Sequence, residues 1–415
     1  MTEATETKID NPFDAGRARR LDIARTTLPT DLVDRFERGM FRTDALADAV
    51  VEDFAEMGRG RCWPLLERAL RERRADVAGA PRSLRTLLGP LLEPPPWFDA
   101  EQVRRGAAVW WRFAPAAVLA LAAALLAVIE FGDLNKPQAL NGRSARMSGR
   151  RYEETARWLM AATEPGAAAP GGAGFDATVR VRLVHAMVRR HLRRSGRWDE
   201  TAWGAPIHAS GQSVVNLAFM LTPLATYDAL HMTLTDEETE SVRRLWYWLG
   251  YVMGVPGELL PVTMEHAWQT RRAGNLIFAP PDHDSIELVH ALKHDGIRAE
   301  RRLPKRLQPA LAPILRPAVS GAVWGLSDAI IKKTLVTDSI TAKGGMPSDY
   351  PGSTHIALAA LRPALAVWER LRHRGTLGTD LDIARRERAH VALVLSSIKA
   401  VPHPVRPEDA VTELP

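Results

Sequence analysis

The sequence holds a single cysteine, Cys62, in 415 residues. That excludes an intramolecular disulfide and any metal cluster built from cysteines alone. Lysine is almost as scarce, with 8 of the 55 basic residues against 47 arginines, and with abundant alanine this bias points to a GC-rich coding sequence more than to a chemistry. Runs of alternating polar and apolar residues bounded by turn formers are missing, so strands are not expected. There is no basic stripe interleaved with aromatics, no zinc-finger spacing and no RNA-recognition signature. The formal net charge of +6 therefore does not indicate a nucleic-acid partner. The opening MTEATETKIDNPFD lacks an apolar core, and Arg19-Arg20 is followed by further charges, so no export signal is expected and the expected location is cytoplasmic. Residues 113–129 carry no charge, which is the lower limit for a membrane span. Their alanine content and Pro115 favour a buried core helix instead. No transmembrane segment is expected, while peripheral contact with a membrane stays open, as does the oligomeric state.

What is present is an ordinary globular balance, 46% apolar and 25% charged, patterned at helical spacing. The expected fold class is all-α, a large helical bundle. Residues 1–25 read as a disordered N-terminus and 26–96 as a helical extension, ended by Pro94-Pro95-Pro96. Asp99, with Gln102 three residues on, reads as the cap of the next helix. The main domain is expected over 97–333, with helices near 150–163, 176–195, 208–231, 235–253, 258–272, 281–296 and 303–333. Within it, Glu164–Gly174 (EPGAAAPGGAG) reads as a flexible insert. A linker over 334–353, a helical pair over 354–400 and a flexible tail over 401–415 complete the chain. The tryptophans, among them Trp110, Trp111, Trp158, Trp203, Trp246 and Trp248, fit core positions at this spacing, or the wall of an apolar channel.

The segment most able to carry chemistry is Thr178–Leu192 (TVRVRLVHAMVRRHL). On a helix, Val181, Val184, His185, Val188 and Leu192 share one face, and Arg180, Arg182, Arg189 and Arg190 surround it. A neutral imidazole in an apolar slot is what an axial haem ligand requires, and cations at the rim can meet the propionates. Spacing alone is equally satisfied by a core histidine bonded to a backbone carbonyl, with solvated arginines.

Arg180-x-Arg182-Leu183-x-His185-Ala186-x-Val188-Arg189 resembles the haem-ligand helix of the latex clearing protein (rubber oxygenase) family, which includes fungal oxygenases that cleave prenyl chains. Further pieces follow in the same order: Arg151-x-x-x-Thr155 upstream, then Gly204-x-Pro206-Ile207, then Leu245-Trp246 through Gly250-Tyr251, Gly254-Val255-Pro256, Glu258 and Pro261. The resemblance extends from about Trp97 to Lys333. It implies a haem b in a globin-like helical core, His185 as axial iron ligand, and dioxygen as co-substrate. By the same analogy Arg182 and Arg189 make propionate or supporting contacts, and Arg151, Glu154 and Thr155 lie on the catalytic side. The implied reaction is oxidative cleavage of a double bond in a small lipophilic, isoprenoid-like substrate.

Two features depart from the family. Rubber oxygenases carry, just before the Thr, a Lys able to reach the iron; here that residue is Glu154, expected either to handle protons in the pocket or to pair with Arg150 or Arg151 at the surface. The missing export signal is the second, and it favours a small isoprenoid, terpenoid or polyketide-type lipophile over extracellular rubber. The family's acidic base has Glu130 and Asp133 as its nearest counterparts. Three rival readings accompany the oxygenase. Asp282, His283, Asp284, Glu287, His290 and His294 crowd residues 282–294 and have the spacing of a divalent-metal site or of a polar helix face. Gly58-Arg-Gly-Arg-Cys62 superficially suggests a thiolate haem loop, but fits a packed thiol better. The scaffold could also serve a non-catalytic haem-binding or sensor protein.

Overall fold

The structure, a computed structural model, describes residues 16–112, 117–140, 154–230, 232–294, 304–313 and 352–396; these hold helices and no strand. The part before the triple proline folds as α1 (Arg17–Thr27), α2 (Thr30–Met40), α3 (Ala45–Met57), α4 (Arg59–Glu72) and α5 (Arg82–Leu92). Then come α6 (Ala100–Trp110), α7 (Ala117–Ile129), α8 (Gly132–Ala139), α9 (154–162), α10 (Ala173–Arg194) and α11 (Glu200–Trp203). They are followed by α12 (Ala209–Ala229), α13 (Asp236–Val252), α14 (Met264–Ile277) and α15 (His283–His294). The C-terminal pair is α16 (Gly352–His373) and α17 (Asp380–Ser396). Most of the helix expected over 303–333, the linker up to residue 351 and the tail 401–415 fall outside the described residues.

Side chains set several of these helix starts. Asp99 Oδ1 accepts from the backbone N–H groups of Glu101 and Gln102 at 2.9 and 3.0 Å, so the expected cap is in place. Thr235 and Glu238 form a reciprocal capping box at the head of α13. His208 caps α12 through Nδ1, which accepts from Gly211 N at 2.9 Å.

Packing centres on α12, which meets α7, α13, α14 and α2, while α10 lies on α3 and α13. The α6–α13 approach is close enough that a Cβ at Gly106 would collide with the Ser241 carbonyl. Trp110, Trp111, Trp246 and Trp248 are buried in one cluster with Leu66, Leu84, Phe175 and Leu183. Three of the indoles donate to oxygens inside it: Trp110 to Phe219 O (2.9 Å), Trp111 to Thr163 Oγ1 (2.9 Å) and Trp248 to Ala168 O (2.7 Å). These four tryptophans are core. Trp158 and Trp203 are half-buried.

Three expectations need correction. Residues from Arg17 onward are helical rather than disordered: Leu21 and Ala24 enter a second core with Phe36, Phe131, Ile277 and Phe278, and Arg20 Nε donates to Ile277 O at 2.9 Å. The extension 26–96 is continuous with the main core, since Val50, Phe54, Leu84 and Leu88 pack in the same cluster as α10 and α13. Glu164–Gly174 is a series of packed turns rather than a loose insert. Its small residues serve close approach, because a Cβ at Gly174 would strike the Ala161 carbonyl. Phe175 N also donates to Ala167 O at 2.9 Å.

The C-terminal pair is held by Arg112, whose side chain is 1% exposed. Its Nη2 donates to Glu238 at 2.6 Å and to Asp380 at 2.7 Å, joining the end of α6 to the starts of α13 and α17. Replacing it leaves the largely buried Glu238 carboxylate, and the partly exposed Asp380, without their cation. Arg112→Ala should lower stability by about 3 kcal/mol in urea unfolding and expose the 374–379 turn to limited proteolysis; an unchanged midpoint would show that the clasp contributes nothing.

Candidate functional site

Helix α10 has two different faces. One, bearing Thr178, Val179, Arg182, Leu183, Ala186 and Arg189, is buried against α3 and α13. The other carries Val181, Val184, His185 and Val188, all only half-buried, while Leu192 at its end is buried. A valine stripe flanked by core yet incompletely covered, with an imidazole in its middle, is a wall suited to an apolar ligand.

The rotation of α10 is set by ion pairs to α3, across which Asp44, Asp48 and Glu52 recur every four residues. Arg182 donates from Nε and Nη2 to Asp44 at 2.6 and 2.9 Å, and from Nη1 to Val252 O at 3.1 Å. Arg189 donates from Nε to Asp48 at 2.7 Å, and Arg190 from Nε to Glu52 at 3.0 Å. Arg180 pairs with Glu67 on α4 at 2.8 and 2.7 Å. The arginines around His185 are thus turned onto α3 and α4 instead of being solvated.

Surface accessibility leaves the His185 ring half-buried, yet loss of solvation dominates its basicity, which falls to about 4. The two observations agree if the accessible space beside the ring is enclosed by protein. The nearby Arg189 cation lowers the value further, while the Gln212 side chain on α12 and the Asp44 carboxylate act the other way. His185 Nδ1 is buried with no hydrogen-bond partner. Burial keeps the ring neutral at physiological pH, and the partner it has is the Gln212 side chain.

Helix α9 runs antiparallel to α10. Ala161 lies against Gly174, and Trp158 Nε1 donates to Thr178 Oγ1 at 3.1 Å. Continuing that register by one turn sets Glu154 and Thr155, both half-buried, level with Val181 and Arg182. Arg151 lies outside the described residues. The ring of Trp158 also meets Phe219 of α12 edge-on at 6.3 Å. His185, Glu154 and Thr155 thus belong to one region framed by α9, α10 and α12.

The other sequence candidates lie elsewhere or are engaged. Glu130 is buried in an ion pair with Arg271. Asp133 is buried, its carboxyl raised to about 6 by desolvation, with Oδ1 accepting from Ala279 N and Oδ2 without a partner. In the 282–294 cluster, Asp282 and Asp284 both bind Lys136 at 2.5 Å, and His283 is exposed and paired with Glu287. The side chains of His290 and His294 lie outside what is described. Among the described residues no group of three or more His, Cys, Asp or Glu is placed to hold a metal ion. Cys62 is a packed thiol, 3.0 Å from Gly58 O and pushed up by burial. An open depression lined by Arg35, Glu258, Thr263 and His266 includes Glu258 of the motif but none of the expected site residues. No helix among the described residues is long and apolar enough to cross a membrane.

The catalytic-domain model of the family described as ER-bound oxygenase mpaB/B'/rubber oxygenase matches residues 107–338, more than half of the chain. The chain belongs to this family. The rubber oxygenase match spans α7 to α15 and includes His185, but it begins after α3. A solved structure of latex clearing protein in its closed state is similar in fold, with a TM-score of 0.59 and 18% identity, covering 85% of this chain and 91% of that one. The all-α bundle is thus that of the rubber oxygenases. A comparison with functionally curated proteins finds no match.

Sequence reasoning singled out His185 but not the residues the structure sets around its helix, Asp44, Asp48, Glu52 and Gln212. The acidic residues at four-residue spacing opposite an arginine-rich helix were a usable signal for α3; nothing local marks Gln212. His208 was missed too. It is buried, lowered to about 3 by desolvation and then by Arg17, and its Nε2 has no partner. Unfolded, both imidazoles titrate near 6.5, so the unfolded chain takes up protons first. Stability from this source is complete above pH 6.5 and is lost as pH falls toward 4. His208→Asn, which keeps a capping acceptor, should flatten the loss of urea stability between pH 7 and 5; an equally steep loss would contradict the assignment. Asp133 has the opposite sign, because its raised value favours the fold at low pH and costs stability as pH rises through 6. Asp133→Asn should therefore stabilise the protein by about 2 kcal/mol at pH 8, and by less at pH 5.

Proposed function

We propose that this chain is a haem-dependent oxygenase of small lipophilic, isoprenoid-like substrates, with His185 as the axial ligand of a haem b. The observation that carries the reading is the neutral His185 imidazole in a half-buried valine stripe, inside the segment that matches the rubber oxygenase catalytic domain. A neutral imidazole on a valine stripe, with Gln212 and Arg189 beside it, fits an iron porphyrin, which needs one nitrogen donor and an apolar wall. When bound, such a group supplies redox-active iron for activating dioxygen toward an isolated double bond.

The chain's own residues do the rest. Val181, Val184 and Val188 present an apolar surface that excludes water and suits a substrate without polar groups. Arg182 has its donors filled by Asp44 and Val252 O, and the Nη atoms of Arg189 are buried. Both support α10 and the His185 ring rather than reaching for propionates. Glu154 and Thr155 are the nearest polar groups on α9, with Arg151 one turn before them in sequence. The carboxylate at Glu154, where rubber oxygenases carry a Lys, can accept and return a proton but cannot cap an iron as an amine does. That substitution also favours a second reading, a haem-binding sensor that does not turn over.

Purified protein should show a Soret band that His185→Ala abolishes while helical content is kept; a band that survives the substitution would sink the ligand assignment. Oxygen uptake with isoprenoid lipids separates oxygenase from sensor. Glu154→Gln should slow turnover about tenfold or more if the carboxylate handles protons, and unchanged uptake with an unchanged spectrum would remove it from the site.

A further inference from the structure

Arg189 stands one helical turn beyond His185, close enough for the two side chains to be neighbours on the helix surface. It is fully buried, with 0% side-chain exposure. Its Nε donates to Asp48 Oδ1 at 2.7 Å, and Nη2 lies 2.7 Å from the same carboxylate oxygen without hydrogen-bond alignment. Nη1 has no partner. Arg182 contrasts with it, since its three nitrogens are all answered by Asp44 and Val252 O.

The counter-charges of Arg189 are shared with other cations: Asp44, which also acts on it, is bound by Arg182 through both oxygens, and Asp48 is divided as well. Asp48 Oδ2 accepts from Thr43 Oγ1 at 3.0 Å and lies 3.6 Å from Arg193 Nη1. The Asp48 side chain is 23% exposed, so solvent weakens its field, whereas the guanidinium lies where screening is slight. A net positive field therefore remains on the His185 side of the pair. Asp48 and the rest of α3 lie before the segment matched by the family model.

We propose that the Arg189–Asp48 pair tunes the reduction potential of the iron held by His185, the buried guanidinium raising it and Asp48 moderating the rise. The inference rests on the haem reading above. Reducing ferric to ferrous iron adds one negative charge, which an under-compensated cation in a low-dielectric setting stabilises. Both are positioning residues acting through His185.

The test is a redox titration of the full-length, haem-loaded protein followed at its Soret band, for wild type, Arg189→Met and Asp48→Asn. Arg189→Met should shift the midpoint downward and Asp48→Asn upward, with the ligation spectrum of all three alike. Shifts in the same direction, or none, would overturn the proposal, because loosened packing has no reason to reverse its sign between the two partners. If Arg189→Met does not fold, Asp48→Asn decides alone, an upward shift supporting the proposal and any other result overturning it. A wild type that takes up no haem removes the ligand reading and the inference with it; haem bound through His185 with unmoved potentials removes the inference only.

Discussion

The seating of α10 on α3 is the constraint on which the functional region depends. Guanidinium–carboxylate pairs at this depth add little net stability, because desolvation offsets most of their attraction, but leaving either partner alone is costly. Their value is in geometry. Arg182 and Arg189 flank His185 by three and four residues and both turn toward α3. With the helix pinned at two points, the imidazole between them is held at a fixed rotation, beside Arg189 and within reach of Gln212 on α12. A rotation of one residue about the axis would strand two cations.

That region was legible in sequence as far as its local pattern extends. Helical period, the cap at Asp99 and the apolar setting of His185 are short-range properties, and each could be read from a few neighbouring residues. The partners of Arg182 and Arg189 lie 138 and 141 residues earlier in the chain, so the arginines looked like solvated charges. The same limit applied to the glycine–alanine stretch before α10. Such composition usually signals a loose linker, but here it permits backbone contact with α9 and a carbonyl acceptor for the Trp248 indole. Helix α1 escaped notice because one narrow stripe, Leu21 and Ala24, anchors an otherwise polar segment.

Membership in the rubber oxygenase family covers the segment that carries the imidazole but not the acidic helix that orients it. The proposed site thus draws on two parts of the chain, the family segment supplying His185 and α9, and the N-terminal helices supplying the counter-charges. The 282–294 cluster shows the opposite case. A dense run of His and acidic residues resolves into a lysine clamp at Lys136 and an exposed His283–Glu287 pair, which is surface electrostatics rather than a binding centre.

The Arg112 clasp bears on how the chain is made. Asp380 follows Arg112 by 268 residues, so during synthesis the guanidinium emerges long before its second carboxylate. Until translation reaches α17, only Glu238 can answer that charge, and the junction of α6 and α13 must stay hydrated. Helix α17 therefore acts as a keystone, and a ribosome stalled short of it would hold a nascent protein whose Arg112 still lacks its second carboxylate.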